Sequence, residues 1–199
     1  MKAILYIYRI ILIVAVILLF GWLIYKNLIV TGQITMAKDF CQESPFISNL
    51  YPENRAGGVE IENGSCFQRF FIEPIYFKVK VTRTFAKAKV KIIYQNPGQE
   101  IVQLGLMQRR INPLDWRFHL EFLGDKKTLD WQEGVAEFSV SLDYMNDHAL
   151  EFMLSSPNLT ENRNEIKISR IEVELSRPPV NWTNLFPEIK NYLIRKINK

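Results

Sequence analysis

Four side chains in the 199-residue sequence are of the types that a sugar-binding surface uses. Trp131, Tyr94 and Tyr144 supply aromatic rings, on which the apolar C–H face of a sugar can stack. Asp130 precedes Trp131 and can accept hydrogen bonds from sugar hydroxyls. The polar stretch around Trp131, LDWQEG, favours an exposed ring at that position. Packing of these rings in a core remains the alternative interpretation.

Five lysines alternate with apolar residues in two neighbouring segments. Lys78 and Lys80 share one face of the first segment, and Lys87, Lys89 and Lys91 share one face of the second. If a hairpin connects the two segments, all five lysines lie on one exposed sheet surface. Such a surface suits an anionic polymer, for example an acidic glycan, or lipid headgroups. The alternative is a solvated face whose lysines pair with acids on neighbouring strands.

Cys41 and Cys66 are the two cysteines of the chain, and 25 positions separate them. A disulfide between them would close a loop and stabilise the fold by roughly 3–4 kcal/mol in the chain-entropy model. Two free thiols are the alternative. With no CxxC pair and two histidines in all, the sequence indicates no metal site. It also contains no cofactor-binding motif.

Sequence signatures of catalysis are absent as well: there is no GxSxG, HExxH, P-loop or GxGxxG. Glu60 and Glu62 would lie about 7 Å apart on one face of a strand, a separation within the range that glycosidases use. Glu172 and Glu174 repeat the same alternation, which solvated strand faces produce freely. We therefore expect a protein that is not an enzyme.

The charge distribution argues against a nucleic-acid-binding domain. Residues 1–30 carry a net charge of +3, residues 31–176 a net charge of −3, and residues 177–199 a net charge of +4. A nucleic-acid-binding domain would concentrate positive charge in its folded body. Basic ends that flank an apolar segment fit a membrane surface better.

The first 30 residues are predicted to form a short cytoplasmic stub and a transmembrane signal anchor. Residues 10–25 are apolar and carry no charge, so we expect contact with the lipid bilayer there. Lys2 and Arg9 precede this segment and Lys26 follows it. The positive-inside rule then places the N-terminus in the cytoplasm and the following domain outside it, in a single-pass membrane protein. A cleaved signal peptide is the alternative.

Residues 58–176 carry the pattern of a mainly β domain, an antiparallel sandwich. Short runs with apolar residues at every second position have the period of a strand with one buried face. Nine such runs are predicted as strands: 58–62, 66–72, 77–81, 88–92, 101–108, 116–122, 136–142, 148–155 and 165–175. In the run 116–122, the apolar set Trp116, Phe118, Leu120 and Phe122 is expected to face the core. Residues 31–57 lack periodicity and are interpreted as a linker and lead-in.

The clearest alternating runs are FKVKV from Phe77, AKVKI from Ala88 and the closing strand IKISRIEVEL from Ile166. In this arrangement residues 58–176 resemble the galactose-binding-like jelly rolls, the fold of many carbohydrate-binding modules. The resemblance is architectural, and no binding residue of that family is carried over. It implies recognition of a glycan or a protein outside the cytoplasm.

Residues 177–199 are predicted to contain a short basic amphipathic helix, because apolar residues recur there at helical spacing. It would pack on its own domain, on a membrane surface or on a partner. The function that we expect is a membrane-anchored, non-catalytic module that binds a glycan or a protein at the cell surface. The alternative is a structural or assembly subunit of a membrane complex, docked through the sandwich and this helix.

Overall fold

The computed structural model describes residues 2–28, 32–62, 64–81, 85–98, 101–108, 118–124, 130–141 and 144–177. Contacts divide the chain into two compact units. The helix α1, Lys2–Leu28, belongs to one unit. The other unit is the β domain, Gln33–Ser176. The predicted C-terminal helix within residues 177–199 lies, except for Arg177, outside the described residues.

Among the residues whose side chains the structure describes, no helix is long and apolar enough to cross a membrane. This finding contradicts the predicted single-pass localisation and the bilayer contact through residues 10–25.

Eleven named strands are present in the described part of the chain. Their bounds are β1 Gly32–Asp39, β2 Ala56–Glu62, β3 Ser65–Phe70, β4 Ile75–Lys80, β5 Lys87–Gln95, β6 Val102–Met107, β7 Phe118–Gly124, β8 Gln132–Ser139, β9 Met145–Asn146, β10 Ala149–Ser155 and β11 Ile166–Arg177. They form two sheets. Sheet 1 has the order β2-β3-β11-β5-β8, with β1 also paired to β11. Sheet 2 has the order β4-β10-β6-β7, with β9 also paired to β10.

The paired strands of the two sheets run antiparallel, so the predicted mainly β, two-sheet architecture is confirmed. Most connections between successive strands cross from one sheet to the other. The connection from β6 to β7 instead joins neighbouring strands of sheet 2. The order β3-β11-β5-β8 facing β4-β10-β6-β7 is that of a jelly roll, in which two Greek keys interleave.

Aromatic side chains join the two sheets in the core. Phe77 on β4 stacks on Phe152 on β10, with ring centroids 5.2 Å apart. Phe138 on β8 meets Phe152 edge-on at 5.7 Å. All three are buried, which follows from the alternation of their strands, since every second residue points between the sheets.

The segment predicted as a linker, residues 31–57, is largely part of the β domain. Met36, Phe40, Ile47, Leu50 and Ala56 are buried in the core. The stretch from residue 46 to 51 runs along the free edge of β4, with bridges from Ile47 to Val79 and from Tyr51 to Tyr76. Its apolar residues are spaced irregularly, so periodicity alone did not reveal them.

Cys41 and Cys66 are joined in a disulfide, with an S–S distance of 2.01 Å. The bond links the segment after β1 to β3, and Cys66 is buried in the core. Of the two alternatives that the sequence left open, the structure therefore contains the bonded pair.

Candidate functional site

The outer face of sheet 1 is covered by paired charges. Lys91 lies 2.8 Å from Glu133, and Lys89 lies 3.5 Å from Glu137, both across the β5–β8 pair. The hydrogen bond to Glu133 raises the pKa of Lys91. Lys87 projects from the same face of β5. This face satisfies its charges internally, as solvated sheet surfaces do.

The five-lysine surface expected from the sequence is not formed. Lys87, Lys89 and Lys91 lie on sheet 1, whereas Lys78 and Lys80 lie on β4 in sheet 2. The connection between β4 and β5 crosses from one sheet to the other instead of forming a hairpin. The two sets of lysine side chains therefore project from the two opposite outer faces of the sandwich.

The predicted aromatic platform is also divided. Trp131 is 37% exposed and lies against Phe67 on the sheet 1 side, with ring centroids 6.2 Å apart. Tyr94 is buried in the core, so its ring is not accessible to a ligand. Tyr144 is partly buried and packs against the core. Asp130 is exposed next to Trp131. The structure does not bring these four residues together on one surface.

The strand β7 has the opposite orientation from the one expected. Its inward-pointing positions are His119 and Glu121, which pair with Leu106 and Leu104 of the core. Leu120 and Phe122 instead point outward and are 46% and 50% exposed. At the edge of sheet 2 the polar side chains reach water: His119 contacts Glu121 at 2.8 Å while both remain substantially exposed. Trp116 lies outside the described residues.

These outward residues belong to a surface that we call the sheet-2 face. It consists of the outward side chains of the four strands: Tyr76, Lys78 and Lys80 on β4; Ala149, Glu151, Met153 and Ser155 on β10; Gln103, Gly105 and Met107 on β6; Phe118, Leu120 and Phe122 on β7.

Gly105 shapes the centre of the sheet-2 face. It pairs with Leu120 on one side and Met153 on the other. A Cβ at this position would lie 2.9 Å from Leu120 Cδ2 and 3.4 Å from Met153 Cε. The missing side chain therefore lets both neighbours close over β6, which produces a shallow apolar floor.

Polar side chains flank this apolar floor. Gln103 lies directly opposite Phe122 in the β6–β7 register, and its amide provides one acceptor and two donors. On the other side, Glu151 accepts a hydrogen bond from the Tyr51 hydroxyl. Burial and this hydrogen bond to Glu151 raise the pKa of Tyr51 well above its usual value, so the phenol stays protonated and donates to the carboxylate.

The two glutamates with glycosidase-like spacing are engaged in ion pairs. Glu60 pairs with Arg69, and Glu62 lies 2.8 Å from Lys167. The hydrogen bond from Lys167 lowers the pKa of Glu62. Both carboxylates are therefore engaged by basic side chains of neighbouring strands, as on a solvated strand face. In the described residues, moreover, no group of three or more His, Cys, Asp or Glu side chains is placed to hold a metal.

Comparison with known proteins finds likeness in fold alone. No family description matches the chain, and no curated protein matches its sequence. The CBM22-1 xylan-binding domain from Paenibacillus barcinonensis Xyn10C is 11% identical, with a TM-score of 0.44 over 72% of this chain and 94% of that one. The xylan-binding module CBM15 is 11% identical, with a TM-score of 0.43 over 73% of this chain and 99% of that one.

The insecticidal crystal protein Cry2Aa has a similar fold as well, at 8% identity and a TM-score of 0.44. That match covers 73% of this chain but 22% of the other. The predicted resemblance to carbohydrate-binding modules is confirmed as a resemblance between β-sandwiches.

Reasoning from sequence picked out Lys78 and Lys80 of the sheet-2 face but missed its apolar residues. The alternation in β7 was recognised, but its apolar side was assigned to the core. One signal was present in the sequence: Gly105 lies in the interior of the VQLGLM run of β6, and glycine inside a strand often marks a close approach.

Proposed function

We propose that residues 33–176 form a non-catalytic glycan-binding domain whose binding surface is the sheet-2 face. The observation that carries the proposal is the outward exposure of Leu120 and Phe122 beside the polar groups of Gln103 and Glu151. The similarity to xylan-binding modules is one of fold, and the evidence for a ligand is the composition of this surface.

The contrast between the two outer faces supports the choice of surface. On sheet 1 the charges pair with one another, so that face is satisfied without a ligand. On sheet 2 a phenylalanine and a leucine of the edge strand β7 remain about half exposed. Exposed apolar groups with a polar rim are typical of binding surfaces.

The arrangement suits a sugar because a sugar ring has two kinds of surface. Its C–H face is apolar and packs on an aromatic ring such as that of Phe122. Its hydroxyls donate and accept hydrogen bonds, which the Gln103 amide directly across the strand pair can complement. A row of such positions across four strands would hold several successive sugar units of an extended chain.

The test is affinity electrophoresis of the full-length protein in gels that contain single polysaccharides, with xylan, β-glucan, mannan and polygalacturonate as the panel. We expect retardation by at least one polymer and a loss of about tenfold or more in affinity for Phe122→Ala, equivalent to roughly 1.4 kcal/mol. Trp131→Ala is the matched control, because it removes an aromatic ring from the opposite face and should leave binding unchanged.

Two results would count against the proposal. Absence of retardation by every polymer would contradict glycan binding. Loss of binding in Trp131→Ala but not in Phe122→Ala would move the site to the sheet 1 side, where the sequence had placed it.

Docking of a partner protein is the second candidate function. It is favoured by the exposed aliphatic side chain of Leu120, because exposed apolar groups are typical of protein interfaces. A partner that co-purifies with the wild-type chain and is lost in Leu120→Asp, with no polysaccharide binding, would select this function.

A further inference from the structure

A groove of about 330 Å³ lies at the β4 edge of sheet 2. Phe46 and Ser48 form one wall, and Lys78, Lys80 and Glu151 form the other. Asp147, in the turn between β9 and β10, closes one end. Because Lys78 and Glu151 belong also to the sheet-2 face, the groove is continuous with the surface proposed above.

Main-chain hydrogen bonds fix the two walls of the groove. The N–H of Ser48 donates to the carbonyl of Lys78 at 2.9 Å, and the N–H of Lys78 donates to Ser48 Oγ at 2.9 Å. The N–H of Lys80 donates to the carbonyl of Phe46 at 2.7 Å. The segment between Phe46 and Ser48 is therefore held like an added edge strand, with the buried Ile47 as its anchor.

The closing turn is equally well defined. Asp147 and His148 have φ values of 48° and 59°, as the central residues of a tight two-residue hairpin turn require. The carbonyl of His148 accepts a hydrogen bond from the Val81 N–H at 2.8 Å. The groove is thus built from hydrogen-bonded backbone on its three sides.

Tyr51 contacts both Lys78 and Glu151 at this edge of the sheet. Lys78 and Glu151 are directly opposite in the β4–β10 register, the position at which a cross-strand ion pair would be expected. Glu151 instead accepts a hydrogen bond from the Tyr51 hydroxyl. The Lys78 ammonium lies 5.4 Å above the Tyr51 ring.

The two groove lysines differ in this respect from most lysines of sheet 1. Lys89, Lys91 and Lys167 each pair with a glutamate at 2.8–3.5 Å. Among the described residues neither Lys78 nor Lys80 takes part in an ion pair. Lys80 is opposite Ala149, whose side chain is uncharged. Two ammonium groups on successive outward positions of β4 therefore line the groove together with the carboxylates of Asp147 and Glu151, and neither ammonium group forms an ion pair with another described residue.

We propose that Lys78 and Lys80 bind the anionic group, a carboxylate or a sulfate, of an acidic sugar, so that the ligand of the sheet-2 face is an acidic polysaccharide. This inference rests on the glycan-binding function proposed above. Two ammonium groups attract such an anion, and the exposed ring of Phe46 offers a surface for the sugar's C–H face. The Glu151 carboxylate, already held by Tyr51, can accept a hydrogen bond from a neighbouring hydroxyl.

The experiment compares acidic polymers with their neutral forms. Full-length protein is titrated with polygalacturonate and with carboxyl-reduced polygalacturonate, and in parallel with chondroitin sulfate and desulfated, carboxyl-reduced chondroitin. The tested variant is Lys78→Gln/Lys80→Gln. The matched control is Lys87→Gln/Lys89→Gln, which makes the same change in net charge on the opposite face of the sandwich. Thermal unfolding of both variants verifies that they are folded.

We expect the wild-type chain to prefer at least one acidic polymer over its neutral form by tenfold or more. Lys78→Gln/Lys80→Gln should abolish that preference, and the control should retain it within about twofold. Equal weakening in both double variants would mean attraction by net charge alone and would overturn the inference. So would an unchanged preference in Lys78→Gln/Lys80→Gln.

The outcomes also separate this inference from the function beneath it. Binding of neutral polymers that depends on Phe122 but shows no acidic preference would overturn the acidic-sugar inference and leave the glycan-binding function intact. Absence of binding to all polymers, acidic and neutral, would overturn both.

Discussion

The side chain of Gln68 forms two hydrogen bonds with the main chain of Leu50. Gln68 Oε1 accepts from the Leu50 N–H at 2.9 Å, and Gln68 Nε2 donates to the Leu50 carbonyl at 3.1 Å. The same amide nitrogen also donates to the carbonyl of Gly57 at 2.8 Å. The buried amide of Gln68 on β3 thus satisfies the main-chain polar groups of Leu50, as a neighbouring strand would. It thereby fixes the segment that forms one wall of the β4 groove.

Replacing Gln68 by Met should destabilise the domain by about 3 kcal/mol. Methionine fills a similar volume but leaves the N–H and carbonyl of Leu50 and the carbonyl of Gly57 without their partner, and each unsatisfied buried group costs about 1–3 kcal/mol. Urea denaturation followed by tryptophan fluorescence measures the change. Gln103→Met, on the partly exposed sheet-2 face, is the control and should change stability by about 0.5 kcal/mol or less. Equal effects of the two substitutions would contradict the role assigned to Gln68.

Tyr51→Phe should weaken acidic ligands selectively. Without the phenolic hydroxyl, Glu151 is free to pair with Lys78 across the strands, and the new ion pair competes with the ligand for the ammonium group. Because exposed ion pairs contribute about 0.2–1 kcal/mol, the loss in affinity for polygalacturonate should be roughly two- to fivefold. Affinity for the carboxyl-reduced polymer should not change. A parallel loss for both polymers would indicate that Tyr51 acts only through packing.

Removal of the Cys41–Cys66 disulfide should cost about 3.5 kcal/mol, the chain-entropy value for a loop of 25 residues. The double substitution Cys41→Ser/Cys66→Ser is compared with the wild-type chain in denaturation experiments, with and without dithiothreitol. The reductant should lower the stability of the wild-type chain towards that of the variant and leave the variant itself unaffected. A stable, reductant-insensitive wild-type chain would argue against the bond.

The difference in stability between the wild-type chain and the variant Lys38→Met should depend on pH. The Lys38 side chain is buried on β1 with the ammonium 5.4 Å from the Phe40 ring, and desolvation lowers its pKa although Glu43 opposes the shift. Wherever the amine is charged in both states, burial of the charge disfavours folding. We expect Lys38→Met to raise the free energy of unfolding by about 1 kcal/mol at pH 7.

The advantage of Lys38→Met should shrink as the pH rises. Above the folded-state pKa the wild-type amine is neutral in the native protein but still protonated in the unfolded chain up to its ordinary value of 10.5. The unfolded state then binds more protons, so the stability of the wild-type chain rises with pH through this residue. Denaturation of both proteins at pH 7 and pH 10 tests the trend, and a difference that stays constant or grows would contradict it.

Local alternation in the sequence determined the strands and the two-sheet class. The runs around Phe77, Ala88 and Ile166 are strands in the structure, with every second residue buried except at an irregularity between Ile168 and Arg170. This follows because the two-residue period of a strand is a local property of the backbone. The cysteine spacing likewise permitted the Cys41–Cys66 bond, but spacing alone did not choose between a bond and two thiols.

Tertiary structure decided which side of each strand became a surface and which surfaces became continuous. Alternation shows that the two sides of β7 differ, yet the position of β7 at the edge of sheet 2, beside Gly105, turned Leu120 and Phe122 outward. Because the chain crosses from one sheet to the other after β4, Lys78 and Lys80 are separated from the lysines of β5. The hydrogen bonds of the Gln68 amide hold the segment of residues 46–51 against the rest of the β domain. These outcomes depend on contacts between residues far apart in the chain, and a local pattern carries no information about its distant partners.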